Sequence, residues 1–204
     1  EQGLILPIGI FVLGQVSKEL GEWAESSPKR APTISVNLSP RQLNYPHLLD
    51  RIAELLAHSN VPPGRLRLEV TEKAINQDTD YAVAIFQRMV DLGVSVTLDN
   101  FGAGLASMNH LVRLPVDLVK VDRRLIAYLP VPGRQAAILQ TIFDLGRLLQ
   151  VRMLAEGIER KEQLDVLRKY GCDLVQGHLF SPAVSRDKAQ ALLKSGRWPN
   201  FQEL

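Results

Sequence analysis

Cysteine is almost absent: Cys172 stands alone and leaves no internal disulfide to form, a usage that suits a reducing cytoplasm. None of the 4 histidines lies at zinc-ligand spacing from Cys172 or from another histidine. Charge of one sign is lacking too, since 24 Lys and Arg face 22 Asp and Glu for a net charge of +2. That balance gives neither DNA nor an anionic membrane an electrostatic reason to be the main partner, so any phosphate recognition must be local. No apolar run reaches the about 18 residues of a membrane helix. The stretch from Leu4 to Val16 is shorter, has no basic leader, contains Pro7, Gly9 and Gly14, and reads as a helix entering a core. Heptads, low-complexity tracts and long linkers are missing, and residues 26–32 read as a loop. An initiator methionine and a polar lead-in are missing as well. The abrupt opening Glu-Gln-Gly-Leu-Ile-Leu-Pro reads as the cut edge of a longer protein.

What is present is 46% apolar residue content over 204 residues, enough for one sizeable core and a single domain over 1–204. Short β-branched apolar runs at Ile34–Leu38, Leu66–Thr71, Val94–Leu98, Leu118–Val121, Val151–Ala155 and Asp173–Gln176 predict six strands. Between them lie stretches with helical period, such as Leu48, Ile52, Leu55 and Leu56, then Val83, Phe86, Met89 and Val90, then Ile138, Ile142, Leu145 and Leu149. Strands apolar almost throughout suit a parallel sheet covered on both faces, and the repeated strand-helix unit makes the class α/β. Gly64, Gly93 and Gly171 fall just before strands, where tight helix-to-strand turns favour glycine.

Polar residues interrupt these strands at their C-terminal ends: Asn37, Glu69, Asp99, Lys120, Glu156 and Gln176. In a parallel barrel such ends share one rim, where active sites form. Each residue alone is ordinary. A strand-end carboxylate often caps the next helix, Lys120 could lie on the surface, and Asn37 or Gln176 could cap a turn. Six residues in one slot argue for one site. Glu69, Asp99 and Glu156 are the oxygen donors that Mg²⁺ or Mn²⁺ requires, and Lys120 could neutralise a phosphate oxygen or hold a water.

These blocks resemble the EAL family. Val36-Asn37-Leu38-Ser39-Pro40-Arg41-Gln42-Leu43 is similar to its Asn-Leu-Ser-x-x-Gln block, and Leu68-Glu69-Val70-Thr71-Glu72 to Glu-x-Thr-Glu. Asp99-Asn100-Phe101-Gly102-Ala103-Gly104 is similar to Asp-Asp-Phe-Gly-Thr-Gly, and Val119-Lys120-Val121-Asp122-Arg123 to Leu-Lys-Ile-Asp-Arg. Ala155-Glu156-Gly157-Ile158-Glu159 and Gln176-Gly177-His178-Leu179-Phe180 complete the set. The resemblance implies a TIM-like (β/α)8 barrel, here without its first strand or strands, that binds cyclic-di-GMP and, when intact, is a Mg²⁺- or Mn²⁺-dependent phosphodiesterase yielding pGpG. It implies Asn37, Glu69, Asp99 and Glu156 as metal ligands, Lys120 and Glu156 as catalytic groups, Gln42 and Gln176 as ligand-binding, and Glu72 as a brace for the loop from Phe101 to Met108. It implies as partners a second copy of the barrel, paired near the loop after Asp99, and a sensory or GGDEF-type module in the parent protein.

Three departures shape the functional expectation. The Glu-Ala-Leu segment that names the family is not among these residues, which removes one metal ligand. Asn100 stands where the family has a second Asp, so a neutral amide replaces a charged metal ligand, and positions 103, 105 and 106 hold Ala, Leu and Ala in place of Thr, Tyr and Ser. The terminal block continues Phe180-Ser181-Pro182-Ala183, without the basic residue that often precedes the proline. The expectation is a degenerate cyclic-di-GMP-binding or protein-interaction domain of weak or no activity. The other reading is a phosphodiesterase.

Overall fold

The computed structural model describes residues 3–26, 31–75, 78–102 and 108–196. They form two compact units, residues 1–98 with 113–117, and residues 99–112 with 118–204. Strands alternate with helices as the sequence periods predict, and the class is α/β.

The first unit opens with α1 (Ile5–Ser26), which buries Leu13, Ser17, Leu20 and Trp23. Leu4, Ile8 and Phe11 are exposed, so the apolar stretch expected to enter a core buries only one side. Next come β1 (Ile34–Leu38), α2 (Pro40–Leu43) and α3 (Leu48–His58). They are followed by β2 (Leu66–Thr71), α4 (Glu72–Ile75) and α5 (Thr79–Asp91). Ser39 starts α2 with a capping box: its hydroxyl accepts from the Gln42 backbone N–H, while Gln42 Oε1 accepts from the Ser39 N–H at 2.9 Å. Strands β1 and β2 are parallel, in register from Ile34 opposite Leu66 to Leu38 opposite Val70. Gly64 and Gly93 take left-handed φ values of 75° and 84° at the turns where the sequence placed them. Arg67, on buried β2, is held by a fork to Asp117 (2.6 and 2.8 Å) and by Thr97 Oγ1 (2.9 Å), which gives a buried guanidinium the partners it needs.

Strand β3 (Ser95–Phe101) begins in the first unit and ends in the second. It starts one residue later than predicted and runs to Phe101, whose ring is fully buried. Burial of Phe101 draws Asp99 and Asn100 into the strand, and Asn100 absorbs the bend with φ 57°, a conformation asparagine tolerates.

The second unit continues with α6 (Met108–Arg113), β4 (Leu118–Val121), α7 (Arg123–Ile126) and α8 (Arg134–Leu148). It closes with β5 (Arg152–Glu156), α9 (Lys161–Lys169), β6 (Leu174–Gln176) and α10 (Arg186–Ser195). Strands β4, β5 and β6 are parallel, with Lys120 opposite Leu154 and Glu156 opposite Gln176. Helix α8 buries Leu139, Ile142 and Phe143. Burial pushes the Cys172 thiol up to about 11, which keeps it protonated at neutral pH. Among the described residues no helix is long and apolar enough to cross a membrane.

Two glycines of α1 separate packing from propensity. A Cβ on Gly21 would lie 2.0 Å from the Ser59 carbonyl oxygen at the end of α3, whereas one on Gly14 would meet only Leu55 Cδ2 at 3.6 Å. Gly21→Ala is expected to cost roughly 1–3 kcal/mol in urea unfolding. Gly14→Ala is expected to gain up to about 1 kcal/mol from helix propensity.

Candidate functional site

Parallel strands β4 and β5 bring Lys120 and Glu156 together, with Lys120 Nζ 2.6 Å from Glu156 Oε1. The same ammonium lies 3.7 Å from Asp99 Oδ1, beyond hydrogen-bond length. The side chains of Lys120, Asp99 and Glu156 are 7%, 10% and 21% exposed. Two carboxylates against one ammonium leave an excess of negative charge in a nearly dry setting, and such charge demands compensation. Asn100 supplies part of it, since its Nδ2 donates to Asp99 Oδ2 at 3.0 Å.

The rim of this unit is tied down by backbone contacts. The Ile158 N–H donates to the Gln176 carbonyl and the Leu179 N–H to the Ile158 carbonyl, joining the chain after β5 to the chain after β6. Gly177 permits the approach, because a Cβ there would lie 2.0 Å from the Ile158 oxygen. Buried Gln163 holds the loop after Glu156: its Oε1 accepts from the Glu159 and Arg160 N–H groups at 3.0 and 3.1 Å, and its Nε2 donates to the Ile126 carbonyl at 3.4 Å. Asp122 caps α7 and accepts from Arg124 through backbone and guanidinium; those bonds hold its carboxyl below the usual carboxylate range. A cavity of about 790 Å³ opens here, lined by Asn100, Glu156 and Gln176 together with arginines.

Asp99, Asn100, Lys120, Glu156 and Gln176 thus gather in the second unit. Asn37 and Glu69 stand opposite each other in register in the first, with Asn37 exposed and Glu69 buried. Glu72 is buried at the start of α4. Of the loop it was expected to brace, residues 103–107 lie outside the described residues, as do Ala103, Leu105 and Ala106 from the departures noted above. Gln42 is buried in the capping box of α2, with its Nε2 1.7 Å from where a Cβ on Gly9 would stand. Gly9 leaves the room this amide occupies.

Among the described residues no three His, Cys, Asp or Glu side chains assemble into a metal-holding group. The donors present in the second unit fit a hard divalent cation in kind, since Asp99 and Glu156 offer carboxylate oxygens and their cluster carries excess negative charge. Sequence reasoning assigned no role to Arg123, Arg160 or Gln163. Arg123 and Arg160 follow β4 and β5 within a few residues, and that placement was the available signal.

The family model for the EAL domain matches residues 1–183. The chain is 35% identical over 180 residues to MucR of Pseudomonas aeruginosa, named a bifunctional diguanylate cyclase/cyclic di-GMP phosphodiesterase, covering 88% of this chain and 26% of MucR. It is 33% identical over 196 residues to NbdA of the same organism, named a cyclic di-GMP phosphodiesterase, covering 96% of this chain and 25% of NbdA. The chain therefore spans about a quarter of these relatives' length. Among solved structures, that of the MucR phosphodiesterase in complex with c-di-GMP superposes with a TM-score of 0.86 at 33% identity, over 92% of this chain and 75% of that one. The EAL domain of Mycobacterium smegmatis DcpA superposes with a TM-score of 0.87 at 29% identity, over 94% and 86%.

Replacing Lys120 tests whether its charge holds the cluster together. Lys120→Met is expected to lower stability in urea by about 2–3 kcal/mol, less than for a fully buried pair because Glu156 keeps some access to water. Mg²⁺ or Mn²⁺ should raise the midpoint of the variant more than that of the unmodified chain. An unchanged urea midpoint would show that Asp99 and Glu156 do not depend on the ammonium.

Proposed function

The chain belongs to the EAL domain family, and from that premise we propose that it binds cyclic-di-GMP at the second unit's cavity and turns it over slowly. The observation that carries this reading is the amide of Asn100, which donates to Asp99 Oδ2 at 3.0 Å. A carboxylate at position 100 would repel Asp99 and call for a cation between them, whereas the amide donates to one Asp99 oxygen, Oδ2, and brings no second negative charge. The cavity, about 790 Å³, falls within the range of small-ligand sites. The reading of 1–204 as one domain belongs to this proposal and is supported by a family match that draws on both units.

The ligand presents two phosphodiesters and two guanines. Lys120 is placed to donate to a phosphate oxygen once a ligand draws it from Glu156, and the strength of such a contact is greatest where water is excluded. Glu156, freed of the ammonium, becomes an acceptor for the proton of an attacking water. Gln176, in register beside Glu156, offers a neutral amide at the same rim. EAL phosphodiesterases are divalent-metal dependent, and Mg²⁺ or Mn²⁺ would supply charge to the phosphodiester and acidify water. Asp99 and Glu156 would hold it in the second unit, while Asn37 and Glu69 are the oxygen donors proposed in the first. Ligand contacts for Gln42 and a brace by Glu72 are proposals that rest on the family resemblance.

The second reading is a Mg²⁺- or Mn²⁺-dependent phosphodiesterase that yields pGpG. It is favoured by the contact between Lys120 and Glu156, which keeps a cation and a base side by side. A cytoplasmic setting, pairing with a second copy and attachment to a sensory or GGDEF-type module are proposed for the parent protein on the same resemblance.

Asn100→Asp separates the two readings. Followed by chromatography with saturating Mn²⁺, the unmodified chain is expected to bind cyclic-di-GMP but form little pGpG, and Asn100→Asp to form it at least about tenfold faster. The variant should also unfold at lower urea than the unmodified chain without Mn²⁺, and regain stability with it. Rapid turnover by the unmodified chain would favour the phosphodiesterase reading.

A further inference from the structure

The cavity beside Glu156 carries positive charge that the Lys120 cluster does not use. Three arginines line it: Arg123, Arg124 and Arg160. Arg124 is matched to Asp122, with Nε and Nη2 donating at 2.9 and 3.1 Å. Glu156 is matched to Lys120. Among the described residues neither Arg123 nor Arg160 makes a close ion pair, although the Arg123 charge helps to hold the Asp122 carboxyl down, and the acidic residues of the lining are Asp122, Glu156 and Glu159. Three arginines face three carboxylates in the lining, so the wall is balanced in total, and Arg123 and Arg160 are the guanidiniums left outside the Asp122 pair.

Both arginines are exposed residues whose backbone neighbourhoods are constrained. Gly157, at φ 76°, brings the loop after Glu156 so close to Arg123 that a Cβ on the glycine would lie 2.8 Å from the Arg123 Cβ. Arg160 has its backbone N–H bound by Gln163 and donates one guanidinium nitrogen, Nη2, to the Leu129 carbonyl at 2.6 Å. A guanidinium has five N–H donors in a planar fork, so the group stays able to grip a phosphate after that one bond. An arginine whose stem is fixed loses less entropy on binding than one that swings freely.

We propose that Arg123 and Arg160 form a phosphate clamp in this cavity, distinct from Lys120, so that it selects a ligand with two phosphodiesters over one with a single phosphodiester. This rests on the cyclic-di-GMP reading of the same cavity. Lys120 serves one phosphate and the arginine pair serves the other. Each phosphodiester carries one negative charge, and planar forks match its paired oxygens better than a lone ammonium does.

Calorimetry of cyclic-di-GMP into the 204-residue chain and its variants tests the clamp. Arg123→Gln and Arg160→Gln are each expected to weaken binding roughly tenfold, and the double variant roughly a hundredfold. Their salt dependence should be shallower than that of the unmodified chain. Arg147→Gln, which removes an exposed arginine of α8 paired with Asp144 outside the cavity, should bind as the unmodified chain does. A linear dinucleotide with a single phosphodiester and no terminal phosphate should bind the unmodified chain and the double variant with similar weak affinity. Variants that bind cyclic-di-GMP as tightly as the unmodified chain would overturn the clamp and leave the functional reading standing. Failure of the unmodified chain to bind cyclic-di-GMP would overturn the functional reading and the clamp with it. Equal weakening by Arg147→Gln would reduce the effect to general charge and overturn the clamp.

Discussion

One ammonium sets the terms for the second unit's site. Lys120 lies 2.6 Å from Glu156 and 3.7 Å from Asp99, with little water to screen any of the three. Without it, two carboxylates would be left in a setting where unpaired charge is costly. With it, the cluster still carries excess negative charge, which is the condition under which an oxygen-donor site accepts a hard cation. In the proposed function the same ammonium also donates to a phosphate of the ligand. The contact that holds the site together in the free chain is therefore one that a ligand has to rearrange.

The scaffold makes that rearrangement local. Glycine at 157 and 177 lets backbone segments close to within contact distance after β5 and β6, and buried Gln163 ties the loop after Glu156 to the last turn of α7. On β3, Thr97 lies two residues before Asp99 and so shares its face of the strand, and in the first unit the Arg67 guanidinium holds Thr97 and Asp117 together. Side chains and loops are free to exchange partners where the strands that carry them are fixed.

Under the proposed function, the second unit keeps parts for recognition and differs in one part for turnover. Lys120, Glu156 and Gln176 sit together, while Asn100 replaces charge with a hydrogen bond to Asp99. On that proposal the site holds a phosphodiester more readily than it splits one. The proposed clamp of Arg123 and Arg160 extends the same logic, since both line the cavity that Glu156 lines.

From the sequence alone came the α/β class, all six strands with shifts of a few residues at their ends, the glycine turns at 64 and 93, and the six polar strand-end residues. These depend on hydrophobic period, on local backbone sterics and on recognisable blocks, all of which are written in neighbouring residues. Tertiary structure decided the rest, because it depends on groups far apart in the chain. It showed that α1 buries one side of a stretch that reads as uniformly apolar, that Phe101 pulls β3 past its predicted end, and that the Gln42 amide packs against Gly9. It also showed that Asn100 donates its amide to Asp99, and that Arg123, from the block after β4, and Arg160, which has no telling period or motif position of its own, open onto one cavity. Charge pairing and cavity lining are set by distances between strands and loops, and no local pattern encodes those.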